Sequence, residues 1–410
     1  MKRRPFYLNP PPKGIGFSPT TTERILIMKG PLNGITVIDM SRVLAGPFTA
    51  MVLADLGARV IKVEAPGKGD DSRSFPPIKD GVSAYFSSVN RGKESIALNL
   101  KDEKDKGILL KMLEKADVIV ENFRPGVMER LGLGWDVLKD RYPRLIYAAS
   151  SGFGHTGPYS KRAAYDMVVQ AMGGIMSITG HPGESPIRIG TSIGDLTAAL
   201  YTVIGVVSAI YDRLRTGKGC KIDVSMLDCQ VAFLENAIAR YLLSGIVPEP
   251  LGGIHPSICP FGVFKTQDSY VIIVAGNDHL FEVMANSIEM PELLEDPRYK
   301  SNPERCAHKW ELKEDMEKAL AKKTTAEWLK ILEKAGIPFA PINDIRAVVE
   351  DPQINERNMI VEVEDPDAGT IKMAGNPIKM SSYEDPHVRR RAPHLDENRE
   401  ALLKEFGITE

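Results

Sequence analysis

Short apolar runs alternate along this chain with longer amphipathic stretches, and that alternation predicts its elements. Residues 32–40 read as a buried strand, and Pro47 suits the first turn of a helix that runs to about Leu56 and stops at Gly57. Residues 59–64 form the next strand, which closes a right-handed strand–helix–strand unit. Strands over 96–100, 118–121 and 145–149 and a helix over 102–116 repeat the pattern. Strands apolar on both faces, alternating with helices, predict an α/β fold: a Rossmann-like parallel sheet in a large domain. Further on come a strand at 221–224, one long helix at 226–243 and a Gly- and Pro-rich linker or loop at 245–260. A strand at 270–274, a helix after Asn277 and helices at 312–320 and 325–335 form a smaller α+β domain, with Thr324 and Glu327 as a capping box. Residues 360–380 return to strand-like alternation around an Asp-Ala-Gly turn.

Residues 187–200 combine these signals. A short apolar run ends at Gly194, Asp195 follows, and an almost continuous apolar helix covers 196–214 before Gly217. A helix that apolar is expected to be buried. Asp195 then sits at a helix N-terminus, where unpaired N–H groups and the positive end of the dipole meet. Two readings follow: a helix cap, or a carboxylate nucleophile steadied by the helix end and shielded from water.

Composition narrows the field. The 410 residues exceed one ordinary domain, and a formal net charge of -2 gives no reason to expect nucleic acid or a membrane as partner. No apolar run reads as clean enough to span a bilayer, since Tyr201, Tyr211, Asp212 and Arg213 interrupt the longest. Cys220, Cys229, Cys259 and Cys306 lack metal-ligand spacing and read as reduced packing cysteines of a cytoplasmic protein, with no metal site. Residues 1–30, rich in Pro, Thr and basic side chains, are expected to be a poorly ordered extension, and Met28 is a second candidate start. Gly152, Gly154 and Gly157 spell G-x-G-x-x-G after a strand. No helix follows, so they read as a turn near a ligand rather than a dinucleotide fingerprint.

Several stretches together resemble the class III coenzyme A transferases, the formyl-CoA and carnitine-CoA transferase family. They are Val37-Ile-Asp-Met-Ser-Arg-Val-Leu-Ala-Gly-Pro, Leu56-Gly-Ala-Arg-Val-Ile-Lys-Val-Glu and Asn90-Arg-Gly-Lys-Glu-Ser-Ile-Ala-Leu-Asn-Leu-Lys. Asp117-Val-Ile-Val-Glu-Asn-Phe-Arg-Pro-Gly, Gly190-Thr-Ser-Ile-Gly-Asp and Thr216-Gly-Lys-Gly-Cys-Lys-Ile-Asp-Val-Ser-Met-Leu-Asp complete the set, in family order from about residue 31 onward.

The resemblance implies transfer of CoA from an acyl-CoA to a free carboxylic acid, with Asp195 as the catalytic nucleophile and an aspartyl anhydride and an aspartyl-CoA thioester as intermediates. CoA or acyl-CoA is then a substrate, and no tightly bound cofactor is needed. Val43 and Leu44 fall on positions at the thioester end, Leu98 and Lys101 at the nucleotide end, and Asn122, Phe123 and Arg130 on a further CoA cluster. Leu44 stands where some members carry Gln, and Ala65 where a basic contact is frequent. Gly252 and Gly253 fall in the region of the family's mobile glycine loop, and Tyr85 and Tyr165 are candidates for the acceptor pocket.

The family also implies a homodimer of two interlocked open rings. The large domain would span 31–225 with 345–410 returning to it, and 226–344 would hold the linker helix and small domain. Two rivals accompany this reading: a 2-methylacyl-CoA racemase and a non-catalytic CoA-binding protein. Racemases use a His where this chain has Tyr165, and Tyr supplies no base near neutral pH.

Overall fold

The computed structural model describes residues 29–409. The expected extension up to residue 28, and Met28 as a start, lie outside the described residues. Six strands form the central sheet: β1 (Thr36–Asp39), β2 (Arg59–Glu64), β3 (Glu94–Ala97), β4 (Val118–Glu121), β5 (Ile146–Ser151) and β6 (Lys221–Ser225). Their order is β3-β2-β1-β4-β5-β6, and every neighbouring pair is parallel. The order reverses between β1 and β4, which opens a crevice at the carboxyl ends of those strands. The first strand is shorter than the apolar pattern predicts, because the chain turns at Gly34 before entering it.

Strand periodicity explains the two cores. Ile38, Ile61, Ile96, Ile119 and Tyr147 point to one face, where they meet Leu109, Met112 and the C-terminal Leu402, Leu403 and Phe406. Val37, Val60, Val118 and Ile146 point to the other, against α1 (Ala45–Asp55) and a 24-residue helix at Ile193–Thr216. A separate core built on Phe264, Val271, Ile273, Met316 and Trp328 belongs to the second unit, whose antiparallel sheet is Phe261–Lys265, Tyr270–Val274 and Phe339–Pro341. The Thr324–Glu327 capping box is present there. Ile360–Asp365 and Gly369–Ala374 pair as a hairpin.

Three expectations change. The helix at Ile193–Thr216, α3 below, is long and apolar enough to cross a membrane by length and composition. It is not buried throughout: Thr202, Val203, Val206 and Ala209 pack inward, while Leu200, Ile204, Tyr211 and Leu214 form an exposed apolar stripe at helical spacing. Its last turn is anchored by buried Arg213, 2.8 Å from Asp117. The single helix expected at 226–243 is two, Met226–Phe233 and Glu235–Ser244. Leu234 leaves helical geometry between them and turns its buried side chain toward Gly174, where a Cβ would lie 3.2 Å from it. Finally, Asp195 does not cap α3, as described next.

Candidate active site

Ser192 is the N-cap of α3, without a side-chain hydrogen bond, and Asp195 lies in the first helical turn. The capping role falls to Asp166, which opens α2 (Asp166–Met172). Its Oδ1 accepts the Gly194 N–H at 2.8 Å. Gly194 permits this approach, since a Cβ there would sit 2.6 Å from Val169 and 3.0 Å from Asp166. Gln170, fully buried, fixes the arrangement. Its amide donates to Asp166 Oδ2 at 2.7 Å, and its carbonyl accepts the Ile189 N–H at 2.9 Å.

Asp195 is therefore left free. Among the described residues none donates a hydrogen bond to its carboxylate. Burial, and then the like charge of Asp166, push its carboxyl up to about 7. Tyr85 faces the same space. Burial raises its phenol, and Asp195 is the largest of the charges that add to the rise. Asp166 was visible in the sequence only as the neighbour of Tyr165; nothing in the 29-residue spacing to Asp195 predicts that the two meet. The Gly194 N–H, engaged by Asp166, is not available to a ligand.

The second feature is the crevice at the strand switch. A cavity of about 380 Å³ is lined from the ends of β1 (Met40, Ser41, Arg42), β2 (Glu64, Ala65, Lys68) and β3 (Leu98, Lys101), with Phe123 and Leu131 beyond β4. Leu98, Lys101 and Phe123 thus line one cavity. Asn122 stands behind the wall, its amide clasping Arg42: Oδ1 accepts the Arg42 N–H and Nδ2 donates to the Arg42 carbonyl, both at 2.8 Å. Arg130 is exposed beside the cavity rather than on its wall. Lys68 lines the cavity although Ala65 carries no charge; it lies 2.7 Å from Asp71, which also pairs with Arg42. Among the described residues Lys101 forms no ion pair.

Val43 and Leu44 adjoin the cavity as the turn into α1. Val43 has φ 67°, a strained conformation for a β-branched residue. It is held there by its N–H, 3.1 Å from Asp70 Oδ1. Asp70 is held in turn by Lys62, 3.0 Å away. Lys62 also donates to the Ser41 carbonyl at 2.8 Å, and Lys93 reaches Asp39 at 2.7 Å. Both lysines are buried. Burial opposes the Asp70 charge, but Lys62 and the Ser72 N–H hold its carboxyl at about 2. A polar cradle of this kind fixes the loop that the crevice shares with α1, and Gly46 lets α1 approach it: a Cβ there would lie 2.2 Å from Ser41.

The remaining predicted residues lie apart from this crevice. Tyr165 is 74% exposed, next to Asp166 in sequence. Gly252 donates its N–H to the Gly180 carbonyl at 2.8 Å and lines another hollow of about 330 Å³ with Arg240 and His255. Gly253 packs on Val263, from which a Cβ would be 2.4 Å.

A family model described as CoA-transferase family III matches residues 32–399. The chain is 50% identical over 383 residues to acetyl-CoA:oxalate CoA-transferase of Acetobacter aceti, covering 93% of this chain and 97% of that protein. It is 38% identical over 376 residues to human succinyl-CoA:glutarate CoA-transferase, covering 92% and 86%. The crystal structure of a CAIB/BAIF family protein from Brucella suis superposes with a TM-score of 0.83 at 38% identity, covering 92% of this chain and 99% of that one.

Proposed function

This chain belongs to CoA-transferase family III, and from that premise we propose that Asp195 is the nucleophile that carries CoA from an acyl-CoA donor to a free carboxylic acid. The observation that carries this reading is the Asp195 carboxylate itself: first turn of a packed helix, no hydrogen-bond partner among the described residues, and its charge disfavoured by burial and by Asp166. A carboxylate so placed loses little by becoming a neutral acyl derivative.

The steps balance without an external acid or oxidant. An Asp195 oxygen attacks the thioester carbonyl, the C–S bond breaks, and a mixed anhydride and CoA thiolate result. The thiolate attacks the aspartyl carbonyl, releases the donor's carboxylate and leaves an aspartyl-CoA thioester. The acceptor carboxylate attacks that carbonyl, giving a second anhydride and thiolate. The thiolate then attacks the acceptor's acyl carbon, forming the new acyl-CoA and freeing Asp195. Both anhydrides and the thioester need protection from water, which the apolar surroundings of α3 favour.

In this reading the 380 Å³ crevice takes the CoA portion, with Leu98, Phe123 and Leu131 as apolar wall and Lys101, Lys68 and Arg42 as cations for its phosphates. Asn122 and Arg130 flank it, and Val43 and Leu44 lead from it toward the thioester. Tyr85 borders the reacting carboxylate. Tyr165, Gly252 and Gly253 are assigned to the acceptor side. The named relatives act on oxalate and glutarate. We therefore take small dicarboxylic acids as the acceptor class.

The assembly is proposed to be an interlocked homodimer. Support comes from the apolar stripe of α3 and from Leu242, Leu243, Ile246 and Val247, each more than two-thirds exposed in the single chain. A cytoplasmic setting accords with four free cysteines.

Peptide mass mapping tests the nucleophile. The protein is incubated with acetyl-CoA, succinyl-CoA or oxalyl-CoA in the presence of hydroxylamine, which converts an activated carboxyl to a hydroxamate. A hydroxamate on Asp195 is expected; one on another carboxylate, or none while CoA still binds, would sink the assignment.

A further inference from the structure

Glu121 takes no part in the chemistry above, yet it is buried at the end of β4. Its Oε2 accepts the Phe123 N–H at 2.8 Å, and its Oε1 accepts the Tyr147 hydroxyl at 3.3 Å. His155 Nε2, buried and without a hydrogen-bond partner, lies 3.8 Å from that same Oε1. The Lys221 ammonium is 3.0 Å from His155 Nδ1. An ammonium only donates, so Nδ1 accepts and the imidazole proton sits on Nε2, facing Glu121.

A buried carboxylate with no cation in direct contact is costly, and an apolar residue would fill the space more cheaply. Burial pushes the Glu121 carboxyl up to about 7, against the pull of the Phe123 N–H, while Glu129 adds repulsion. Burial, and then Lys221, push His155 down. The Asp223 charge also acts on this imidazole, and its Oδ2 accepts the His155 backbone N–H at 2.9 Å. What this arrangement supplies is a fixed acceptor beneath Phe123, which with Leu131 lines the crevice. The brace on its other side, His155, belongs to the loop that runs from β5 to Tyr165 and Asp166.

We propose that Glu121, braced by His155 and Tyr147, is a positioning residue for the CoA thioester: it holds the Phe123 segment in the shape that the CoA portion meets. This rests on the reading of the crevice as the CoA site. Glu121 acts through Phe123 and touches no reacting atom.

The test uses the full chain, with acyl-CoA and acid varied separately and CoA binding followed by calorimetry. Glu121→Ala removes the acceptor, so the CoA Kd and the acyl-CoA KM are expected to rise about tenfold, the value for losing one charge-assisted hydrogen bond. At saturating acyl-CoA, kcat and the acid's KM stay within about threefold of the parent. Glu121→Gln keeps an oxygen for the Phe123 N–H and should restore most of the affinity. Tyr147→Phe removes one brace at constant shape and should move the same two constants by about threefold.

A Glu121→Ala protein that binds CoA normally, or that loses kcat and both KM values together without rescue by Gln, overturns the proposal. Phe123→Ala and Lys101→Ala, run in parallel, separate the two levels. If neither weakens CoA binding, the crevice reading and the proposal both fail. If they weaken it and Glu121→Ala does not, only the positioning role fails.

Discussion

Two carboxylates in this molecule, one buried and one half-buried, behave in opposite ways. Asp70, in the turn after β2, has Lys62 at 3.0 Å, the Ser72 N–H at 2.9 Å and the Val43 N–H at 3.1 Å. Its carboxyl is held at about 2. Asp195, in the first turn of α3, has no donor and a second carboxylate beside it, and its carboxyl is pushed up to about 7. Burial disfavours charge in both places; the partners decide the outcome. One region is built to keep its charges fixed so that a strained loop stays in place. The other leaves its charge disfavoured, with burial and Asp166 unopposed. The difference separates a carboxylate fixed by its partners from one without them, without reference to any substrate.

The largest expected effect breaks the contrast at its reactive side. Asp195→Ala should lower transfer by roughly a thousandfold or more while CoA still binds, measured by product formation and calorimetry. Transfer that survives would place the nucleophile elsewhere. On the scaffold side, Lys62→Met leaves Asp39 and Asp70 short of a buried cation. It should cost about 3–5 kcal/mol of stability, read from the urea midpoint at neutral pH. A midpoint that does not move would mean Lys93 alone satisfies the cluster.

A finer change tests why Asp195 is raised. Since it must be ionised to attack, kcat/KM should rise with pH through about 7 and fall about tenfold per unit below it. Asp166→Asn keeps an oxygen for the Gly194 N–H and removes the like charge, so this limb should shift to lower pH. An unmoved limb would leave burial as the whole cause. The smallest effect is expected far from both carboxylates. Thr324→Ala removes the capping box and should cost about 1 kcal/mol of stability with kcat and KM unchanged.

Much of the fold is legible in the chain because it rests on local periodicity. Val37 and Ile38 alternate between two apolar faces, so their strand had to be covered on both sides, and the capping box at Thr324 needed only three residues of spacing. Leu98, Lys101 and Phe123 were found through the motifs around them and do share one cavity. Lys68 was missed because its place on that wall depends on the turn after β2. The break at Leu234 was missed because both flanking segments are equally apolar, and only packing against Gly174 distinguishes that position.

The sequence by itself determined the parallel α/β architecture and the helix behind Asp195. These follow from which side chains are apolar and in what period. The tertiary structure alone decided that Asp166, not Asp195, caps that helix, that Lys62 pins Asp70 and through it Val43, and that His155 faces Glu121. Each of these joins residues well separated in the chain. Hydrophobic patterning says which face turns inward, but only chain packing says which polar groups meet there, and with them whether a carboxylate's charge is stabilised or disfavoured.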